Sequence, residues 1–137
     1  MADRRARRDA HIAVSAPPLT CLIVDDSREF YEAARQLLQE DGITIIGLAT
    51  SSDEAVETAL ARRPDVALVD IDLGTESGFD VANRLAALPG GGPQVILISA
   101  QSGTDLVELV VPSGALGFVK KTNLSADEIE KLLRRTG

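Results

Sequence analysis

From Leu19 to Leu133 the chain alternates short apolar runs with stretches whose apolar residues return every third or fourth position. Few folds satisfy that alternation. Leu19–Val24, Ile43–Leu48, Val66–Val69, Gln94–Ile98 and Gly114–Val119 have the length and composition of strands. Between them, Phe30, Ala33, Ala34, Leu37 and Leu38 mark one helix and Val56, Ala59 and Leu60 a second. Phe79, Ala82, Leu85 and Leu88 mark a third, a weaker segment runs from Leu106 to Val110, and Ile129, Leu132 and Leu133 mark the last. Gly42, Pro64, the Pro89–Pro93 stretch and Pro112 punctuate the ends, and Ser51 with Glu54 and Ser125 with Glu128 suit capping boxes. Val66–Val69 is apolar on both faces, as a covered central strand must be. The reading is α/β: five strands alternating with five helices, (βα)5, in a doubly wound five-stranded parallel sheet joined by right-handed crossovers.

Composition narrows the function. The chain of 137 residues has room for one domain and a tail. Residues 1–18 carry a net charge of +2 from Arg4, Arg5, Arg7 and Arg8 against Asp3 and Asp9, and read as a flexible basic arm closed by Pro17 and Pro18. The body, 19–137, carries −9 and holds only four aromatic residues, so it lacks the charge and the stacking surface for nucleic-acid binding. A single cysteine, Cys21, excludes an internal disulfide and a Cys-rich zinc site, reads as a buried apolar residue, and fits a reducing cytoplasm. No run approaches the length of a membrane span, and the N-terminal stretch lacks the sustained apolar segment of a secretory signal.

In an open parallel sheet, ligands bind beyond the carboxyl ends of the strands. Asp25 and Asp26 follow the first strand there, Asp70 and Asp72 end or follow the third, Ser99 follows the fourth, and Lys120 or Lys121 follows the fifth. Crowded carboxylates raise one another's pKa unless a cation intervenes, and an all-oxygen donor set suits Mg²⁺ or Mn²⁺. A carboxylate beside such an ion is placed to attack an activated phosphate, with metal and lysine balancing the charge of the transferring group.

Taken as an ordered set, Asp25-Asp26 after a strand, Pro64 through Asp70-Ile-Asp-Leu, Gly78 eight residues after Asp70, Ile-Leu-Ile-Ser99-Ala100 and Gly114-Ala-Leu-Gly-Phe118-Val-Lys-Lys121 resemble the receiver domain of two-component response regulators, the CheY-like family. The pattern is similar to that of receivers in LuxR/NarL-type regulators and spans about Leu19 to Arg135; 19–137 is therefore expected to be the receiver, with a flavodoxin-like fold. The resemblance implies that Asp70 is the phosphorylation site, taking its phosphoryl group from a sensor histidine kinase or a phosphotransfer protein. It implies that Asp26 and Asp70 bind Mg²⁺ directly, Asp25 through water and Asp72 through its backbone carbonyl. Lys121 would pair with the phosphoryl group, being three residues after Phe118, and Ser99 would hydrogen-bond it on switching. Phe118 would then move, changing the face of the fourth helix, fifth strand and fifth helix toward a downstream protein or a second copy in a homodimer. Asp72 and Gln101 occupy positions that tune dephosphorylation.

Three departures stand out: Gly74 and Thr122 replace prolines common in the family, leaving a looser loop after Asp70 and no assured cis peptide after Lys121, and Pro112 falls late in the fourth helical segment. The segment Asp70-Ile-Asp72-Leu-Gly-Thr75 superficially resembles the nucleophile loop of haloacid-dehalogenase-type phosphatases, but that loop belongs on a first strand and Leu73 interrupts it. The expectation is a phospho-accepting switch, not an enzyme with a separate substrate. The alternatives are a receiver-like module that binds proteins without phosphorylation and the excised receiver of a DNA-binding regulator, whose output domain would follow Gly137.

Overall fold

The computed structural model describes residues 18–100, 110 and 112–134. The basic arm up to Pro17, Gln101 and nearly all of the fourth helical segment lie outside them. In chain order the elements are β1 (Thr20–Val24), α1 (Arg28–Glu40), β2 (Thr44–Ala49), α2 (Ser52–Arg62), β3 (Val66–Asp70), β4 (Asp72–Leu73), β5 (Glu76–Ser77), α3 (Gly78–Ala86), β6 (Gln94–Ser99), β7 (Gly117–Lys120), a 3₁₀ turn (Lys121–Asn123) and α4 (Ala126–Arg134). The large sheet has the order β2-β1-β3-β6-β7 with every pairing parallel. Its first crossover runs outward to β2 and the later ones run the other way, so the order reverses between β1 and β3.

Alternation along the strands divides the core in two. Cys21, Ile23, Val66, Leu68, Ile96 and Ile98 face α1 and α4, meeting Ala34, Leu38, Ala126, Ile129 and Leu132. Leu22, Val24, Ala67, Val69, Val95 and Leu97 face α2 and α3, meeting Ala55, Ala59, Val81, Ala82 and Leu85. Each fully buried Leu or Ile contributes roughly 2 to 3 kcal/mol. An exposed pair such as Arg28–Glu32, screened by water, contributes little beside this, so burial on the two faces decides the fold.

A serine caps each described α-helix: Ser27, Ser51, Ser77 and Ser125 accept N–H bonds from Phe30, Glu54, Phe79 and Glu128. The two expected capping boxes close differently. The Glu54 carboxylate takes the Thr50 N–H at 2.7 Å and its hydroxyl at 3.0 Å, one residue before the cap. Glu128 turns instead to Lys131, one turn along its own helix.

Other expectations need correction. The fifth strand begins at Gly117 rather than Gly114, because Pro112–Gly114 form a turn in which Gly114 has φ +88° and the Ser113 hydroxyl binds the Val110 carbonyl. Pro112 therefore lies in that turn. The stretch after Asp70, expected as a loop, is a β4–β5 ribbon pairing Asp72 with Ser77 and Leu73 with Glu76, with Gly74 at φ +78° in its turn. Leu37 and Leu60 are exposed because the apolar stripes of α1 and α2 are narrower than the periodicity suggests. Every described peptide bond is trans, including the one between Lys121 and Thr122. Among the described residues, no helix is long and apolar enough to cross a membrane.

Gly78 opens α3 directly under the end of β3. Its N–H donates to Ile71 O at 2.7 Å, and a Cβ there would come within 2.2 Å of the Asp70 carbonyl oxygen. Gly47 in β2 has open space around its Cα. We expect Gly78→Ala to cost about 1 to 3 kcal/mol in urea unfolding, as overpacking does, and Gly47→Ala much less. Equal losses would contradict this account of the close approach.

Candidate functional site

The parallel register brings the carboxyl ends of β1, β3, β6 and β7 to one edge. Asp25 follows β1 and extends its ladder by one bond, its N–H donating to Ala49 O. Its side chain is fully buried: Oδ1 accepts the Ser27 N–H at 2.8 Å, and Oδ2 lies 2.7 Å from Lys121 Nζ. That ammonium is the partner of the otherwise unsatisfied Oδ2. Asp26, next in the chain, is exposed.

Asp70 is the last residue of β3 and is 7% exposed. Its Oδ1 accepts the Asp72 N–H at 3.2 Å, and its Oδ2 meets Lys121 Nζ at 3.4 Å. Asp72 is exposed at the start of the ribbon, and its own carboxylate accepts the Gly74 N–H. Lys120 ends β7 and is exposed, whereas Lys121 has left the strand in the 3₁₀ turn, which carries its ammonium over the edge. The choice between the two lysines thus depends on the turn as well as on alternation within a strand.

Ser99, the buried last residue of β6, pairs in register with Lys120, one position beyond the pairing of Asp70 with Ile98. Phe118 pairs with Leu97 and packs, half-buried, against the core on the α2 and α3 side. Asp25, Asp26, Asp70 and Lys121 are therefore together, Ser99 and Asp72 border them, and Phe118 lies further back along the strands.

Oxygen atoms of Asp25, Asp26 and Asp70 lie within 4.8 Å of one another. Two bare carboxylates at that range repel by roughly 3 kcal/mol at an effective dielectric of 20, more than an ordinary hydrogen bond returns. Lys121 supplies one positive charge against three negative ones. Burial pushes the Asp70 carboxyl up; the Asp72 N–H pulls it down, Asp25 pushes it up and Lys121 pulls it down, and the net direction is upward. For Lys121 burial acts downward, but Asp25 and Asp70 outweigh it and hold the ammonium above its ordinary value. Cys21, near the start of β1 and away from this edge, is inert, its thiol pushed up to about 12 by burial. A cluster of three hard oxygen donors that one ammonium does not neutralise, open to solvent at Asp26, fits a hydrated divalent cation.

Two contributors were not foreseen from sequence. Ser27 joins Asp25 to the first turn of α1, and the Phe30 ring, counted only as part of an apolar stripe, lies 4.3 Å beneath Lys121 Nζ. Position was the available signal: Phe30 is four residues after Asp26, in the first turn of the helix leaving the edge.

The fold and this acidic edge define a receiver-type signalling module. The profile of the response regulator receiver domain matches residues 21–134, and the chain belongs to that family, the receivers of two-component systems. It is 30% identical over 80% of its length to the transcriptional regulatory protein PdtaR of Mycobacterium tuberculosis, covering 52% of that protein. It is 37% identical over 75% of its length to a cyclic di-GMP phosphodiesterase of Thermotoga maritima, covering 27% of it. Among solved structures, the signal receiver domain of the M. tuberculosis response regulator NarL superposes with a TM-score of 0.75 at 26% identity, covering 88% of this chain and 97% of that one. The chain spans about half, or less, of the length of these two curated relatives.

The upward displacement of Asp70 has a definite sign. Its native-state preference for the proton contributes stability below the ordinary carboxylate value of 3.8, and that contribution is lost as pH rises through the displaced value. We expect Asp70→Asn, in chelator, to be more stable than wild type at neutral pH, with the gain vanishing toward the ordinary carboxylate value. Urea midpoints across pH measure it; a less stable variant at neutral pH contradicts the stated electrostatics.

Proposed function

We propose that Asp70 is the phosphoacceptor of this receiver and that the edge works as a phosphorylation-dependent switch. The reading is carried by the meeting of the Asp25, Asp26 and Asp70 carboxylate oxygens with Lys121 at the carboxyl end of the sheet. Asp70 Oδ attacks phosphorus of a phosphohistidine on a sensor kinase or phosphotransfer protein. The P–O bond forms, the P–N bond breaks, and its electron pair stays with the imidazole. Asp26, Asp70 and the backbone carbonyl of Asp72 would hold Mg²⁺ or Mn²⁺ directly, and Asp25 would hold it through water. When bound, the ion offsets charge on the transferring phosphoryl group.

Lys121 moves its ammonium from the carboxylates toward the new phosphoryl oxygens, and the Ser99 hydroxyl turns to the same group. Phe118 responds to the movement of Ser99 and remodels the face of β7 and α4. That face passes the signal to a downstream protein, a second copy, or an output domain joined to this receiver. Catalysis extends only to the domain's own phosphorylation and dephosphorylation, the latter tuned by Asp72 and Gln101. The domain works in the cytoplasm without contacting nucleic acid or membrane itself.

Incubation with Mg²⁺ and acetyl phosphate, followed by intact mass, tests the reading. Wild type gains one phosphoryl group, Asp70→Asn gains none, and chelator prevents the gain. A wild type that stays unmodified where another receiver reacts is instead a module that binds without phosphorylation.

A further inference from the structure

We infer that Phe30 is a positioning residue for Lys121, its ring face holding the ammonium at the acidic edge while the N–H groups change partners. This rests on the phosphoacceptor reading above and assigns it one more residue.

Four contacts close a circuit. Asp25 Oδ1 accepts the Ser27 N–H at 2.8 Å, and Ser27 Oγ accepts the Phe30 N–H at 3.1 Å. The Phe30 ring lies 4.3 Å from Lys121 Nζ, and Lys121 Nζ lies 2.7 Å from Asp25 Oδ2. The ring is thereby tied through the α1 cap to the carboxylate that the ammonium approaches. Phe30 also packs against the core on the α1 and α4 side, so its body is anchored while its other face meets the cation.

An ammonium on a flexible four-carbon stem needs such a surface. Hydrogen bonds to Asp70 Oδ2 are directional, and the ammonium must give up that partner once the carboxylate becomes an acyl phosphate. Attraction to an aromatic face depends on the position of the positive charge, not on where each N–H points, so it persists through the exchange. The Lys121 side chain is only 16% exposed, a setting in which cation–π attraction is stronger than at a fully wetted surface. An aliphatic residue would fill the space without that attraction.

Two measurements test the inference on the full chain. The first needs no phosphorylation. In ¹H–¹³C spectra of the three lysines, the Lys121 ε-methylene protons resonate upfield of those of Lys120 and Lys131, and Phe30→Leu abolishes the offset. The second compares phosphoryl gain from acetyl phosphate with Mg²⁺. Phe30→Leu lowers the maximal rate about three- to tenfold, as loss of such a contact implies, with the half-saturating phosphodonor concentration nearly unchanged. Phe30→Tyr keeps the wild-type rate.

A wild-type Lys121 without the offset, a Phe30→Leu protein as fast as wild type, or a Phe30→Tyr protein as slow as Phe30→Leu at equal melting temperature each overturn the inference. If Phe30→Leu does not fold, Phe30→Met takes its place with the same expectations. A wild type that shows the offset but gains no phosphoryl group defeats the phosphoacceptor reading instead and leaves the ring contact standing.

Discussion

The ammonium of Lys121 between the carboxylates of Asp25 and Asp70 is the contact on which the rest of the edge depends. Asp25 is wholly buried, and a buried carboxylate without a partner costs several kcal/mol, so an edge built this way requires a cation near it. One lysine does not balance three carboxylates. The residual negative charge leaves the site receptive to a divalent ion and keeps Asp70 displaced toward its protonated form when that ion is absent.

Each neighbouring feature serves to deliver these groups. β3 runs through the middle of the sheet with both faces covered, apolar from Val66 to Val69, and its only polar residue, Asp70, lies at the exit. β1 brings Asp25 alongside, and Gly78 lets α3 begin immediately beneath the Asp70 carbonyl. The β4–β5 ribbon returns the chain from Asp72 to that helix, and it is tied to α2 by the Glu76 carboxylate, which accepts the Ser52 N–H at 2.8 Å. Arg84 of α3 reaches Ser52 and Asp53 on the same helix, so the three elements beside the acidic edge are held together.

Much of this was legible in the sequence because parallel strands convert order along the chain into position at one edge. Runs ending at Asp25, Asp70, Ser99 and Lys120 were enough to place the acidic residues and a lysine together. What escaped notice lacks a period. Two-residue strands such as Asp72–Leu73 carry no alternation to read, and the 3₁₀ turn that swings Lys121 inward has no signature in Lys-Lys-Thr-Asn. Phe30 satisfied the helical apolar pattern, which concealed its second contact. Glu54 and Glu128 matched the capping spacing, yet their carboxylates found nearer partners in Thr50 and Lys131.

Completion of the acidic edge by a divalent cation is what we propose. Its most direct measurement is the unfolding midpoint during a Mg²⁺ titration at constant ionic strength, because a ligand that binds only the native state raises stability by mass action. The wild-type midpoint then climbs and saturates, with a much weaker response in Asp26→Asn. A wild-type midpoint that responds to Mg²⁺ no more than to monovalent salt of equal ionic strength would contradict the proposal.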